Sequence, residues 1–300
     1  MLVALSGGPD SLALAAATAF EAPRAGYRAG AVVIDHGLQE GSAEVAERAA
    51  GAARALGLEP VLLRRVAVGT AGGPEAAARD ARYAALSAAA EEAGAIRVLL
   101  GHTADDQAET VLLGLARGSG PDSLSGMAAD AGAYLRPLLS VRRSVTEAFC
   151  ADSELTPWTD PHNSDERFRR VRVRSTVLPV LERELGPGVT EALVRTADQL
   201  REDAAALDEL AAEWLEEIAE HAEAGIALPV AALATNPAAL RQRVLRLAVE
   251  AEFAITLTRA QTLAAAALVT SWHGQAGVDL PGVRVERRDG LLHFSAAPTR

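Results

Sequence analysis

Ser6-Gly7-Gly8-Pro9-Asp10-Ser11 places hydroxyls, glycines and one carboxylate between an apolar run and an Ala-rich helical pattern. Such a turn presents backbone N–H groups and hydroxyls beside the positive end of a helix, which makes it an anion site by construction. Gly7 and Gly8 let the backbone approach a pyrophosphate closely, and Pro9 stiffens the turn at a helix entrance, where no donor is needed. Asp10 is the odd member. A carboxylate beside phosphates repels them unless a divalent cation stands between, so Asp10 suggests a Mg2+ site and a nucleotide. A tight capped turn would use the same residues for packing alone. The motif by itself leaves the two readings even.

Two more polar clusters follow apolar runs. VVIDHG sets Asp35 and His36 just past a strand-like segment, although a lone histidine in such a place is more often a hydrogen-bonded structural residue than a catalyst. LLGHTADDQAETVLL is denser. On a helix starting near Thr103, Asp105, Asp106 and Glu109 fall in the first two turns, with Asp106 and Glu109 on one face at i, i+3. Thr103 as cap and acids complementing the dipole account for one or two of these residues. They account less well for His102, Gln107 and Thr110 at the same strand end. A cationic substrate explains the surplus, and free lysine is one. Its amine must shed a proton before it attacks carbon, and moving a pKa of about 10.4 to 7 takes roughly 4.6 kcal/mol, which calls for a placed base or a desolvating pocket.

The elements that must hold these clusters are legible in the spacing. LVAL at the start, AVVI before Asp35, VLLRRV from Val61, VLLG from Val98 and YLRPLL from Tyr134 read as strands. Amphipathic stretches between them begin near Ser11, Ser42, Pro74 and Thr103. The alternation predicts an α/β fold, a doubly wound parallel sheet with right-handed crossovers, and ligands in such folds collect at the carboxyl ends of strands. All three polar clusters lie at such ends. Arg117 to Gly132 reads as a long functional loop. From about Arg142 the strand rhythm stops and helices are expected near 189–224, 238–251 and 259–272. VDLPGVRVERRDGLLHF reads as a β-hairpin turning at Arg-Asp-Gly. The expected division is 1–185 for catalysis and 186–300 for a smaller, mostly helical domain ending in the hairpin.

At 300 residues the chain can build both. No run approaches the roughly 20 apolar residues of a membrane span, and no leader-like segment opens the chain, so cytoplasmic localisation without membrane contact is the expectation. The single cysteine, Cys150, excludes an internal disulfide and a Cys-rich metal site, and it reads as a packed thiol. A net charge of −11 argues against general nucleic-acid binding. All 29 basic residues are arginine, however, and Arg167, Arg169, Arg170, Arg172 and Arg174 form a run free of acids. Arginine suits bidentate phosphate contacts, while a solvated helix face would look the same.

Without lysine the chain cannot make a G-x-x-x-x-G-K-[ST] loop. SGGPDS instead resembles the SGGxDS signature of pyrophosphate-loop ATPases. Together with VIDHGLQEGSAEVAE, ARDARYAAL, LLGHTADDQAETVLLGLARGSG, RPLL and DPHNSDERFRRVRVR, in that order over residues 1 to about 185, it is similar to the tRNA(Ile)-lysidine synthetases. The tail VDLPGVRVERRDG is similar as well. The resemblance implies an adenine nucleotide alpha-hydrolase-like fold and a ligase that uses ATP and Mg2+. ATP would adenylate the C2 oxygen of the wobble cytidine of isoleucine tRNA with a CAU anticodon, and free L-lysine would displace AMP to give lysidine. By motif position it implies Ser6, Gly7, Gly8, Pro9, Asp10 and Ser11 for ATP, with Asp10 near Mg2+, and Asp35 and His36 for the nucleotide or cytidine pocket. His102, Asp105, Asp106 and Glu109 are implied for lysine and proton handling, and Asn163, Asp165, Arg170, Arg172 and Arg174 for tRNA or the adenylate. Homodimer formation is left open.

The chain departs from the family where R-N-R-x-R becomes Arg170-Val171-Arg172-Val173-Arg174, so a polar contact gives way to a valine that can pack. It also begins at the first strand, and the expectation is a protein without the further C-terminal domain of longer relatives, which would leave tRNA to the shorter helical part. Other readings remain. A tRNA thiolation enzyme of the same fold generally needs catalytic cysteines, an amidotransferase-linked synthetase needs an ammonia supply, and a non-catalytic nucleotide-binding regulator has no use for the acidic helix.

Overall fold

The computed structural model describes residues 1–37, 41–67, 69, 74–118, 120–160, 165–222 and 225–297. The alternating pattern becomes β1 (Leu2–Ala4), α1 (Pro9–Arg24), β2 (Gly30–Asp35), α2 (Ser42–Ala55), β3 (Val61–Arg65), α3 (Pro74–Glu92), β4 (Val98–Leu100) and α4 (Ala104–Ala116). Every residue of β1 and β4 is buried, as the central strands of a sheet covered on both faces must be. Their side chains alternate between two cores. Val3, Ala31 and Val33 pack with Leu12, Ala49 and Ala53 on one face, and Leu2, Ala4 and Val32 pack with Leu86 and Ala89 on the other.

After α4 come α5 (Pro121–Leu124), β5 (Asp130–Ala131), β6 (Tyr134–Leu135), α6 (Arg143–Asp152), α7 (Arg169–Arg172), a π-helical turn at Val173–Val177, α8 (Leu178–Leu185) and α9 (Val189–Ile218). The sheet order is β3-β2-β1-β4-β6-β5. All pairings are parallel except β5 with β6. Strand order reverses between β1 and β4, and a doubly wound sheet opens its ligand crevice at that switch point. The strand expected from Tyr134 pairs over two residues only, because Pro137 ends the ladder. The stretch expected as loop, 117–132, holds α5 and β5. It is clasped by the buried Gln107 amide, which donates to the Met127 carbonyl (2.9 Å) and accepts from its N–H (2.7 Å).

Glu182, in α8, closes the entrance to α9, accepting from the N–H groups of Gly188 (2.7 Å), Val189 (3.1 Å) and Thr190 (2.9 Å). Those bonds, Thr190's first, hold its carboxyl down to about 2. With a folded value below the ordinary one, this stabilisation is present above about pH 4.5 and is lost as pH falls toward 2. Glu182→Ala should therefore cost about 1–2 kcal/mol at pH 7, by loss of a cap. Urea titrations at pH 7 and near pH 2 should show the gap between variant and parent closing in acid.

The chain divides into two compact units, Met1–Leu200 and Arg201–Arg300. In the second, β7 (Glu220–Ala222), β8 (Gly225–Pro229), α10 (Val230–Thr235), α11 (Ala238–Phe253), α12 (Arg259–Thr270), β9 (Val278–Leu280), β10 (Val283–Arg288) and β11 (Leu291–Ala296) follow in order. The expected hairpin is β10–β11, turning through Asp289 and Gly290 at φ 53° and 80°, the two left-handed residues of a type I′ turn. It lies within a five-stranded antiparallel sheet, β7-β8-β11-β10-β9, so the unit carries more strand than its pattern suggests. The helix expected to reach 224 stops at Ile218, and Glu220–Ala222 pairs with β8 instead. Leu228, Val244, Leu245, Leu268 and Phe294 fill the core between sheet and helices. Among the described residues no helix is long and apolar enough to cross a membrane.

Candidate active site

The turn after β1 is held by its own hydroxyls. The Ser6 N–H donates to Ser11 Oγ (3.2 Å), the two hydroxyls lie 3.0 Å apart, and Ser11 Oγ donates to the Gly8 carbonyl (3.1 Å). Gly7 adopts φ 86°, a left-handed conformation that a side chain would strain. Gly101, after β4, lies so close to α1 that a Cβ there would come within 3.0 Å of Ser11 Cα. The helix N-terminus is thus drawn up to the switch point, where its free N–H groups can meet an anion.

Beside the turn lies a cavity of about 420 Å3, bordered by Ser6, Asp35, His36, Arg82, Trp158 and Phe168. That volume lies within the range of small-molecule sites. Its walls combine polar groups with two aromatic rings on which a base can stack. Asp35 is buried, which pushes its carboxyl up, but hydrogen bonds from Ser42 and the Gly37 N–H (2.9 Å), with the Arg65 charge, bring it below the usual range. Burial lowers His36, helped by Arg82 and opposed by Asp35. Its Nδ1 finds no partner among the described residues. Arg82, on α3, is packed by protein on most sides yet borders the cavity. Burial lowers its pKa, and Tyr83 and the Asp106 carboxylate oppose that through space.

The acidic helix is more divided than its spacing suggests. Asp106 Oδ2 serves the cap, accepting from the Thr103 N–H (2.9 Å) and hydroxyl (3.0 Å). Its Oδ1 meets Arg143 (2.8 Å) and Arg174 (3.4 Å). Burial raises its pKa, and the Arg143 charge and the Thr103 bond outweigh that to hold it low. Glu109 is fully buried beneath guanidiniums, with Arg174 Nε at 2.6 Å, Arg170 Nε at 3.2 Å and an Arg143 nitrogen at 3.6 Å. Asp105 turns away to α6, accepting from the Arg143 N–H (2.8 Å) and pairing with Arg142 (3.3 Å). His102 is held down to about 4 by burial, Asp106 opposing and Arg82, Arg136 and Arg170 adding to it. It is a neutral imidazole at physiological pH, with Nδ1 unpartnered among the described residues.

The structure therefore brings Asp10, Asp106, Glu109, Arg170 and Arg174 into one network. It leaves Arg172 exposed, donating to the Glu166 and Arg167 carbonyls, and Asp165 paired with Arg167 (2.7 Å). Asn163 lies outside the described residues. Val171 is buried at 8% exposure, the packing expected of a valine at that position. Cys150 is buried, its thiol raised chiefly by burial and aimed at the Pro9 carbonyl (3.5 Å), the setting of an inert thiol.

Sequence reasoning missed Arg82, Arg143, Thr146, Trp158 and Phe168. Arg143 Nε reaches Asp10 Oδ2 (3.1 Å), and the Thr146 hydroxyl donates to Asp10 Oδ1. One signal was available, since an arginine in a first helical turn opposes the dipole and so implies acids elsewhere. As for a metal, Asp10 and the Ser6 and Ser11 hydroxyls are the hard oxygen donors that Mg2+ prefers. Among the described residues no three His, Cys, Asp or Glu side chains converge on a metal position. A cation at Asp10 would complete its shell from phosphate and water, as Mg2+ does with nucleotides.

The chain is similar to known proteins over nearly its whole length. Residues 1–181 match the PP-loop domain family and residues 228–293 the TilS substrate binding domain. The chain is 65% identical over 295 residues to the tRNA(Ile)-lysidine synthase of Leifsonia xyli subsp. xyli, covering 98% of this chain and 89% of that protein. It is 56% identical over 300 residues to the enzyme of that name from Thermobifida fusca, covering 99% and 91%. Against the one from Streptomyces coelicolor it is 54% identical over 305 residues, covering 97% and 83%. Among solved structures, the U34-tRNA thiolase NcsA from Methanococcus maripaludis with its [4Fe-4S] cluster aligns with a TM-score of 0.54 and 18% identity over 67% of this chain and 72% of that one. This is a likeness of fold.

Proposed function

The chain belongs to the tRNA(Ile)-lysidine synthases, and from that premise we propose that it converts the wobble cytidine of CAU-anticodon isoleucine tRNA to lysidine in the cytoplasm, using ATP and free L-lysine. One observation carries the reading. The phosphate turn opens on a nucleotide-sized cavity and is joined through Asp10 and Arg143 to a buried set of carboxylates. An activating site and a site for an amine are then neighbours.

Ser6 to Ser11 hold the phosphates through backbone N–H groups and hydroxyls at the α1 terminus, and Trp158 and Phe168 flank the base. Mg2+, when bound, supplies charge neutralisation between the phosphates and Asp10. Asp35 and His36 border the cavity, for the nucleotide or the cytidine. Arg82, with no close counter-charge among the described residues, faces the negative charge carried by the α-phosphate oxygens as the C2 oxygen attacks the phosphorus and pyrophosphate leaves. In the second step the amine nitrogen bonds to C2 and the C2–O bond breaks, releasing AMP. Asp106 and Glu109 bind the lysine ammonium, for which it must compete with Arg143, Arg170 and Arg174. His102, neutral above about pH 4, is positioned with Asp106 to accept the amine's proton. Arg170, Arg172 and Arg174, with Asn163 and Asp165, serve the tRNA or its adenylate. Residues 1–185 carry the chemistry together with those contacts, and 186–300 hold the rest of the tRNA. A thiolation reading loses its nucleophile, because Cys150 is a buried thiol whose pKa is raised.

The test is direct. Purified protein with ATP, Mg2+ and labelled lysine should label an isoleucine tRNA transcript with a CAU anticodon and leave methionine tRNA blank. Label in both or neither removes the reading.

A further inference from the structure

Arg143 is the side chain that joins the two halves of the site. Its Nε lies 3.1 Å from Asp10 Oδ2, its Nη2 2.8 Å from Asp106 Oδ1 and its Nη1 3.6 Å from Glu109 Oε1. The backbone beneath it is fixed, since the Arg143 N–H donates to Asp105 and the neighbouring Arg142 is braced by Asp105 and Glu191 (2.7 Å). The head has a choice of partners. Thr146, one turn further along α6, donates to the other Asp10 oxygen. Both oxygens of Asp10 are therefore engaged, and a cation reaches them only by displacing a donor.

We propose that Arg143 is a positioning residue that stands in for the cation at Asp10 in the nucleotide-free protein and gives that carboxylate up when metal-bound nucleotide enters. The inference rests on Asp10 being the ligand of that cation. Asp10, Asp106 and Glu109 are balanced locally by Arg143, Arg170 and Arg174. A bare dication adds positive charge to a neutral cluster and meets the guanidinium directly. A dication carried on a polyphosphate brings acceptor oxygens, to which the released Nε–H can turn while Nη2 keeps Asp106 in place. Arg143 thus selects against metal alone, favours metal with nucleotide, and holds the acid that faces the amine in register with the phosphate turn.

Mn2+ can replace Mg2+ as a probe, with free metal read by electron paramagnetic resonance on the full chain, alone and with a non-hydrolysable ATP analogue. Arg143→Gln should bind Mn2+ alone about three- to tenfold more tightly than the parent, with the repelling charge gone, and bind the Mn2+–analogue complex about tenfold more weakly. A merely structural role moves both affinities down together, and weaker or unchanged Mn2+ binding in the variant overturns the proposal. Arg143→Lys keeps a charge but cannot span Asp10 and Glu109 at once. It should shift both affinities in the same directions by less, and it decides the matter if the glutamine variant does not fold. Asp10→Asn should abolish Mn2+ binding in either background. Parent-like Mn2+ binding by Asp10→Asn would instead sink the assignment of the cation to Asp10, and the proposal with it.

Discussion

Glu109→Gln should lower stability by about 3–5 kcal/mol and reduce lysine use more than nucleotide binding. Glu109 is fully buried, and its two oxygens meet Arg174, Arg170 and Arg143. Removing one member of a buried ion cluster strands the others without solvent to screen them, and losses of this size are typical. Glutamine keeps the volume, so the loss reports charge and not a cavity. The same change frees Arg174 and Arg143 to crowd Asp106, which denies the lysine ammonium its second carboxylate. Denaturant unfolding, read beside the apparent affinities for lysine and for an ATP analogue, separates the effects. Equal losses for lysine and nucleotide would contradict the division of roles.

Arg82→Met should act in the opposite sense on stability. The guanidinium is packed by protein on most sides and among the described residues no carboxylate pairs with it directly, so its burial costs free energy that the fold does not recover locally. Methionine retains the apolar stem. The variant should melt at the same temperature as the parent or higher, while kcat for tRNA modification falls about 10^2–10^3-fold, the range for losing one preorganised donor to a developing anion. Gain of stability with loss of activity marks a residue kept for function. If activity survives within about threefold, Arg82 has no part in the charge stabilisation assigned to it.

Much of the first unit is legible because its grammar is local. An apolar run, a glycine turn and a helix start fall within residues 1–12, and the same holds around Asp35 and Gly101. Strand ends, phosphate turn and acidic helix can therefore be placed without tertiary information. The i, i+3 relation of Asp106 and Glu109 also survives, since both reach Arg174. What spacing cannot show is which way neighbours turn. Asp105 adjoins Asp106 in sequence yet serves α6. Arg143 and Arg82 sit in otherwise ordinary helices, and their importance arises from contacts with Asp10 and the cavity far along the chain. The Arg run divides for a similar reason. Arg170 and Arg174 return to one carboxylate four residues apart on a helical face, while Arg172 faces outward. In the second unit, β7 and β9 have three residues each, too few for a period of two to stand out from loop. They become strands through pairing with β8 and β10, a tertiary influence on weak local preference.

The central claim is that the turn at Ser6–Ser11 holds ATP for attack at its α-phosphate by tRNA. The most direct measurement follows the nucleotide itself, using ATP labelled at the α-phosphate, Mg2+, lysine and CAU-anticodon isoleucine tRNA. AMP should appear in step with lysine incorporated and only when that tRNA is present. Label accumulating as ADP, or AMP formed at the same rate without tRNA, would contradict the account.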